Sequence, residues 1–148
     1  MKQVRIGVIG TGKIGCEHIA RIAKKIKNAD VVACADTNHE FAASVAERFG
    51  IRCFRTEEEL IRSPEVDAIL VAASDVLHEQ YALEAIAQHK YILVEKPLAP
   101  DSAACRRIVD AEMAGGKRFV NVAYMRRYDP YYRDLKRTLE RENLGEPL

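Results

Sequence analysis

The segment Gly10-Thr11-Gly12-Lys13-Ile14-Gly15 stands directly behind the apolar run Val4-Arg5-Ile6-Gly7-Val8-Ile9 and opens a stretch of helical periodicity. Three glycines at this spacing, between a strand and a helix, each meet a separate steric demand. The first permits a tight turn, the second lets the main chain approach a bulky anion, and the third lets helix and strand pack closely. The helix N-terminus then turns its unpaired N–H groups toward the anion. An acidic residue, Asp36, closes the next apolar run, about 20 residues past the last glycine, where a carboxylate meets a ribose. A bare glycine pattern is weak, but the strand before it, the helix after it and the acid at that distance point to a dinucleotide pocket rather than an ordinary turn. Gly10, Gly12, Lys13, Ile14 and Gly15 are expected to hold its pyrophosphate.

Short apolar runs alternate with amphipathic segments along the rest of the chain, the pattern of an α/β fold with a parallel sheet covered on both faces. Ile19, Ile22, Ala23 and Ile26 form one stripe of a helix from about Lys13 to Lys27. A second strand, Val31 to Ala35, precedes a helix with the stripe Ala42, Val45, Ala46 and Phe49, which Gly50 stops. A short strand at Arg52-Cys53-Phe54 leads to a helical turn at Glu57 to Arg62. Ala68 to Ala73 is apolar without alternation, as a central strand should be, and its helix carries Ala82, Ala85 and Ile86, with His89 as the expected cap. Tyr91 to Val94 and Phe119 to Ala123 complete six strands, with Asp101 or Ser102 capping the helix between them. The predicted fold is a doubly wound sheet, a Rossmann domain, in the order 3-2-1-4-5-6. Its boundary is placed at residue 123. Residues 124–148, with Asp129 capping a helix that starts at Pro130 and ends at Gly145, read as a connecting helix and the start of a second domain.

Composition narrows the partners. The 148 residues suffice for one core, and a net charge of +1 supplies no field for nucleic acid or an anionic membrane surface. No apolar stretch is long enough to span a bilayer and nothing at the N-terminus reads as a signal peptide, so a cytoplasmic protein is expected. Cys16, Cys34, Cys53 and Cys105 contain no C-x-x-C pair; reduced thiols are expected, with no metal site and no catalytic cysteine.

Ligands of an open α/β sheet bind beyond the carboxyl ends of its strands. Asp36 is expected there as acceptor for both adenosine ribose hydroxyls, its charge repelling a 2′-phosphate. Thr37 and Asn38 after it supply no arginine for that phosphate, so the cofactor is expected to be NAD; a helix-capping role for Asp36 is the alternative. Ala73 and Ser74 after strand four and Glu95 after strand five are expected to face the nicotinamide half. His78 either touches the cofactor or packs and caps its helix. Lys96 is the residue expected to carry chemistry: a lysine there is placed to accept or relay a hydroxyl proton as hydride leaves the neighbouring carbon. Glu95 and Pro97 would fix its position, through a cis bond before the proline. Of Arg126 and Arg127, one is expected to donate to vicinal hydroxyls or a carboxylate of a polyol or sugar acid and the other to bridge to a second domain.

These residues resemble the glucose-fructose oxidoreductase, inositol dehydrogenase and MocA (Gfo/Idh/MocA) family of pyridine-nucleotide oxidoreductases. The marks are Gly10 to Gly15, Glu95-Lys96-Pro97-Leu98-Ala99, and Tyr124-Met125-Arg126-Arg127-Tyr128-Asp129-Pro130, the last most similar to the inositol 2-dehydrogenase branch. The resemblance implies a two-domain, homo-oligomeric enzyme that oxidises a secondary alcohol of a cyclic polyol such as myo-inositol. In it Lys96 is catalytic and contacts substrate, and Arg126 helps hold the polyol. The chain departs from the family at Ala73-Ser74-Asp75, where many members carry Thr-Pro-Asn. The family's catalytic aspartate and histidine are expected beyond residue 148, which makes this the cofactor half of an enzyme. A non-catalytic NAD-sensing module and an NADP-dependent sugar oxidoreductase of the same family are the rival readings.

Overall fold

The computed structural model describes residues 3–141. Met1 and Lys2, and the expected helix end at Gly145 to Leu148, lie outside the described residues. Six strands, β1 (Val4–Ile9), β2 (Ala29–Ala35), β3 (Arg52–Cys53), β4 (Ala68–Val71), β5 (Tyr91–Val94) and β6 (Val120–Val122), form one sheet. Its order is β3-β2-β1-β4-β5-β6, the order expected from the sequence. All its pairings are parallel, with Gly7 beside Ala33 and Ile69, so β1 lies at the centre. The crossovers are α1 (Lys13–Lys25), α2 (His39–Phe49), α3 (Glu57–Arg62), α4 (His78–Ala87) and α5 (Ser102–Ala114), and α6 (Pro130–Arg141) follows β6.

Local chemistry sets most of the boundaries. Asn38 caps α2 by accepting from the Phe41 N–H, and Gly50 ends that helix at a φ of 66°. Thr56 caps α3, whose first turn carries Glu57, Glu58 and Glu59 against the helix dipole. Asp101, rather than Ser102, caps α5. Gln88, rather than the expected His89, is the C-cap of α4; His89 sits two residues past the helix end at a φ of 54°, and its N–H reaches the Ile86 carbonyl at 2.9 Å. Helix α1 ends two residues before the expected Lys27, because the chain turns extended at Ile26. Strands β3, β4 and β6 are shorter than their apolar runs, although Phe54, Ala72 and Ala123 still donate to the carbonyls of Cys34, Ile9 and Val94 on the neighbouring strands.

Two cores form on the two faces. On one, Ile9, Ile69, Val71, Ile92 and Val94 pack beneath α3, α4 and α5 with Leu60, Ala85, Ile108 and Phe119. On the other, Val8, Cys34 and Leu70 pack beneath α1 and α2 with Ile19, Ile22 and Val45. This second layer stops short, so the expectation of a sheet covered on both faces holds over β1 to β3 and fails over β5 and β6. Tyr91 and Leu93 are exposed there, beside a cleft of about 480 Å³ lined also by Ile22, Ile26 and Tyr128. Helix α6 leaves Tyr132, Leu135 and Leu139 exposed, as is Tyr128 in the turn before it. No described helix is long and apolar enough to cross a membrane.

Ile69 is 2% exposed at the middle of β4. Ile69→Ala should lower unfolding free energy by about 3 kcal/mol, read from urea denaturation; a loss well under about 1 kcal/mol would contradict its place in the central strand.

Candidate dinucleotide site

The carboxyl ends of β1, β2 and β4 enclose a cavity of about 220 Å³. Gly10, Gly12, Asp36, Thr37, Ala73 and Ser74, six of the residues singled out in the sequence, line it together. Gly10 turns at a φ of 89°, and a side chain there would meet the Ala72 carbonyl oxygen at 2.5 Å. A methyl on Gly15 would collide with the Gly10 carbonyl oxygen. Gly12 differs from both: nothing lies within 4 Å of a built methyl, so its missing side chain leaves open space on the cavity wall. Above that space α1 begins without a side-chain cap and without an acid in its first turn. Its leading N–H groups, at the exposed Lys13 and Ile14, are thus left for an anion. The residues present fit the pyrophosphate of a dinucleotide: a bare Gly12 where the anion approaches and an uncapped helix N-terminus facing it.

Asp36 ties the loop to β2. Its Oδ2 accepts from the Thr11 N–H at 2.6 Å and the Thr11 hydroxyl at 3.0 Å. Its Oδ1 accepts from the Asn38 N–H at 2.9 Å and the Thr37 hydroxyl at 3.4 Å. Helix capping, the alternative role for Asp36, falls to Asn38 instead, because a side chain reaches the N–H of the third residue on and Asn38 stands three before Phe41.

The other predicted residues lie around this cavity rather than in its lining. His78 is buried at 1% exposure. Its Nδ1 is 2.8 Å from the Pro97 carbonyl oxygen and its Nε2 3.1 Å from that of Ala73, so it staples the loop after β4 to the loop after β5. Glu95 pairs through Oε1 with His18 Nε2 at 2.8 Å, while its Oε2 accepts from the Lys96 N–H at 3.3 Å. Lys96 is exposed, and its peptide bond to Pro97 is cis as expected. Arg126 lies in the turn Met125–Arg127 before α6. It donates to Asp129 Oδ2 at 2.8 Å, stacks 4.8 Å over the Tyr132 ring, and lines a separate basic cleft with Arg127, Arg133 and Arg137.

Sequence reasoning missed Thr11, His18, Glu57 and Tyr81. Glu57 and Tyr81 line the cavity from α3 and α4. Glu57 was open to discovery, since it opens the helix after β3 and the loop after every parallel strand faces the same edge. The pairing of His18 with Glu95 joins positions far apart in the chain and had no local signal. Burial pushes the Cys34 thiol up to about 12, away from the reactive thiolate. Among the described residues no group of His, Cys, Asp and Glu is arranged to hold a metal ion.

A doubly wound parallel sheet with a bare glycine loop at its switch point and an acid at the end of β2 defines a dinucleotide-binding domain. The family described as an oxidoreductase family with an NAD-binding Rossmann fold, Gfo/Idh/MocA, matches residues 4–124, and the chain belongs to it. It is 47% identical to an inositol 2-dehydrogenase of Acidothermus cellulolyticus, over 99% of this chain and 43% of that protein. It is 46% identical to an inositol 2-dehydrogenase/D-chiro-inositol 3-dehydrogenase of Shouchella clausii, over 98% of this chain and 42% of the relative. The crystal structure of myo-inositol dehydrogenase from Lactobacillus casei in complex with NAD(H) and myo-inositol superposes with a TM-score of 0.92 at 37% identity, covering 99% of this chain and 44% of that one. The chain thus spans less than half the length of the curated relatives it matches.

Gly12 and Gly15 should separate in experiment. Gly12→Ala should leave stability within about 1 kcal/mol and weaken NAD(H) binding by at least about tenfold. Gly15→Ala should cost more than about 1 kcal/mol by forcing α1 off β1. Thermal melts and NADH titration together check both; a Gly12→Ala chain that binds NADH normally would contradict the pyrophosphate placement.

Proposed function

We propose that the chain is the cofactor-binding half of an NAD-dependent dehydrogenase that oxidises a secondary alcohol of a cyclic polyol such as myo-inositol. Bound NAD+ supplies the hydride acceptor. Gly10, Gly12, Lys13, Ile14 and Gly15 hold the pyrophosphate, Asp36 and Thr37 the adenosine ribose, and Ala73, Ser74 and Glu95 border the nicotinamide half. His78 fixes the two loops on which Ala73 and Pro97 stand. Lys96 accepts or relays the hydroxyl proton and contacts the substrate, and Arg126 donates to the polyol.

Lys96 is the observation that carries the reading. It is exposed at the carboxyl end of β5, two places from β1 in the sheet, and its ammonium has no ion pair or hydrogen bond among the described residues. A module that only senses NAD needs the glycines and Asp36 and has no use for a lysine there. The names of the relatives support the polyol, and Asp36 followed by Thr37 and Asn38 without an arginine speaks against an NADP-dependent sugar oxidoreductase. A cytoplasmic setting suits the four free thiols. A homo-oligomer suits the exposure of five large side chains after β6, Tyr124, Met125, Tyr128, Tyr131 and Tyr132. We assign residues 1–123 to the NAD-binding domain and 124–148 to the connection with a second domain.

In the intact dehydrogenase, Lys96→Met should cut kcat by about 10²- to 10⁴-fold while NADH affinity, read by fluorescence titration, shifts far less. Near-normal turnover would return Lys96 to a surface role and favour the sensor reading. The chain itself should self-associate in sedimentation runs over a range of concentrations, and a monomer throughout would contradict the oligomeric role given to the exposed aromatics.

A further inference from the structure

The dinucleotide cavity has an acidic wall besides Asp36. Glu57, the first residue of α3, lines the same cavity as Asp36 and Thr37. The short β3 brings it there, because α3 starts at the same sheet edge as the glycine loop. The two carboxylates differ in how far the chain compensates them. Asp36 accepts from two N–H groups and two hydroxyls, whose dipoles offset its charge. Glu57 has no hydrogen bond or ion pair among the described residues and is only half-buried. It is the less compensated charge on the wall.

We propose that Glu57 is a second determinant of cofactor choice, disfavouring a 2′-phosphate in the cavity where Asp36 faces the adenosine ribose. This rests on the reading that the chain takes NAD. A 2′-phosphate brings close to two negative charges into a partly water-excluded space, and each carboxylate nearby opposes it by an amount that grows as solvent is displaced, less the part that the α3 dipole offsets at Glu57. The unphosphorylated ribose brings no such charge, so Glu57 acts on the ratio of affinities rather than on dinucleotide binding as such. The field within the cavity is visible at Tyr81, a lining residue 3% exposed. Its hydroxyl is pushed up to about 12, first by burial and then by Glu57, Glu58 and Asp36. Glu58 is already engaged with Gln80 at 2.9 Å. Glu59, on the same helical turn, lines a different cleft with Arg52 and Phe54.

The test is titration of the chain with NADH and NADPH, read as the ratio of the two Kd values. The wild-type chain should prefer NADH. Glu57→Gln should lower the NADPH/NADH Kd ratio by about five- to tenfold at low ionic strength, and Glu57→Lys by more. The effect should shrink in about 0.5 M salt, where exposed charges are screened. Glu59→Gln removes the same charge from the same turn and should leave the ratio within about twofold. An unchanged ratio in both Glu57 variants, with circular dichroism showing them folded, would overturn the proposal. So would an equal effect of Glu59→Gln, which would trace the change to net charge. A wild-type chain that prefers NADPH or binds neither dinucleotide would overturn the NAD reading and this proposal with it.

Discussion

The structure depends on a close approach of three backbones at the end of β1. Gly10 turns against the Ala72 carbonyl at the end of β4, and Gly15 in α1 lies against the Gly10 carbonyl. No side chain fits at either contact. β1, α1 and β4 can therefore meet at one point, and the sheet keeps its central strand while its switch point stays narrow. Asp36 then draws the end of β2 to the same point through Thr11, which is fully buried. The cavity is what remains beyond this knot, and Gly12 is the glycine that leaves an open side on it.

A second set of contacts carries the site toward β5. His78 holds the loops after β4 and β5 by their carbonyls, and Glu95 is anchored on His18 of α1. Lys96 stands between these anchors with its own side chain in solvent. Hydrogen bonds hold the backbone on both sides of a group that is itself unengaged among the described residues, which suits the role proposed for Lys96. Toward β6 the molecule changes character. Tyr91 and Leu93 lie bare on one face, and α6 presents its apolar stripe outward.

Most of the fold was legible because its signals are local. An unalternating apolar run marked β4, Gly50 and the pair Asp101 and Ser102 marked helix ends, and the alternation of strands and helices behind a glycine loop favoured the order 3-2-1-4-5-6. The cavity lining was legible where the motif is continuous, at Gly10 and Gly12, as was the cis turn at Lys96-Pro97. Tertiary contacts decided the remainder. Nothing near Asp36 in sequence tells that its carboxylate will hold Thr11, nor near Glu95 that it will meet His18. The bare face over β5 and β6 follows from where α6 goes, and an amphipathic stripe does not state which surface it will cover. Glu57 was within reach of the sequence, since the short strand at Arg52-Cys53 was read and the helix it leads to opens at Glu57, on the edge where the ligand binds.

If the cavity at the ends of β1, β2 and β4 takes a dinucleotide, this chain alone should show it in an NMR titration of the isotopically labelled protein with NAD+, following the backbone amides. The largest shifts should fall at Gly10, Gly12, Lys13 and Ile14, at Asp36 and Thr37, and at Ala73 and Ser74, with β6 and α6 nearly unmoved. Shifts concentrated instead along the open cleft of Ile22, Ile26, Tyr91 and Leu93, or absent at saturating NAD+, would contradict that placement.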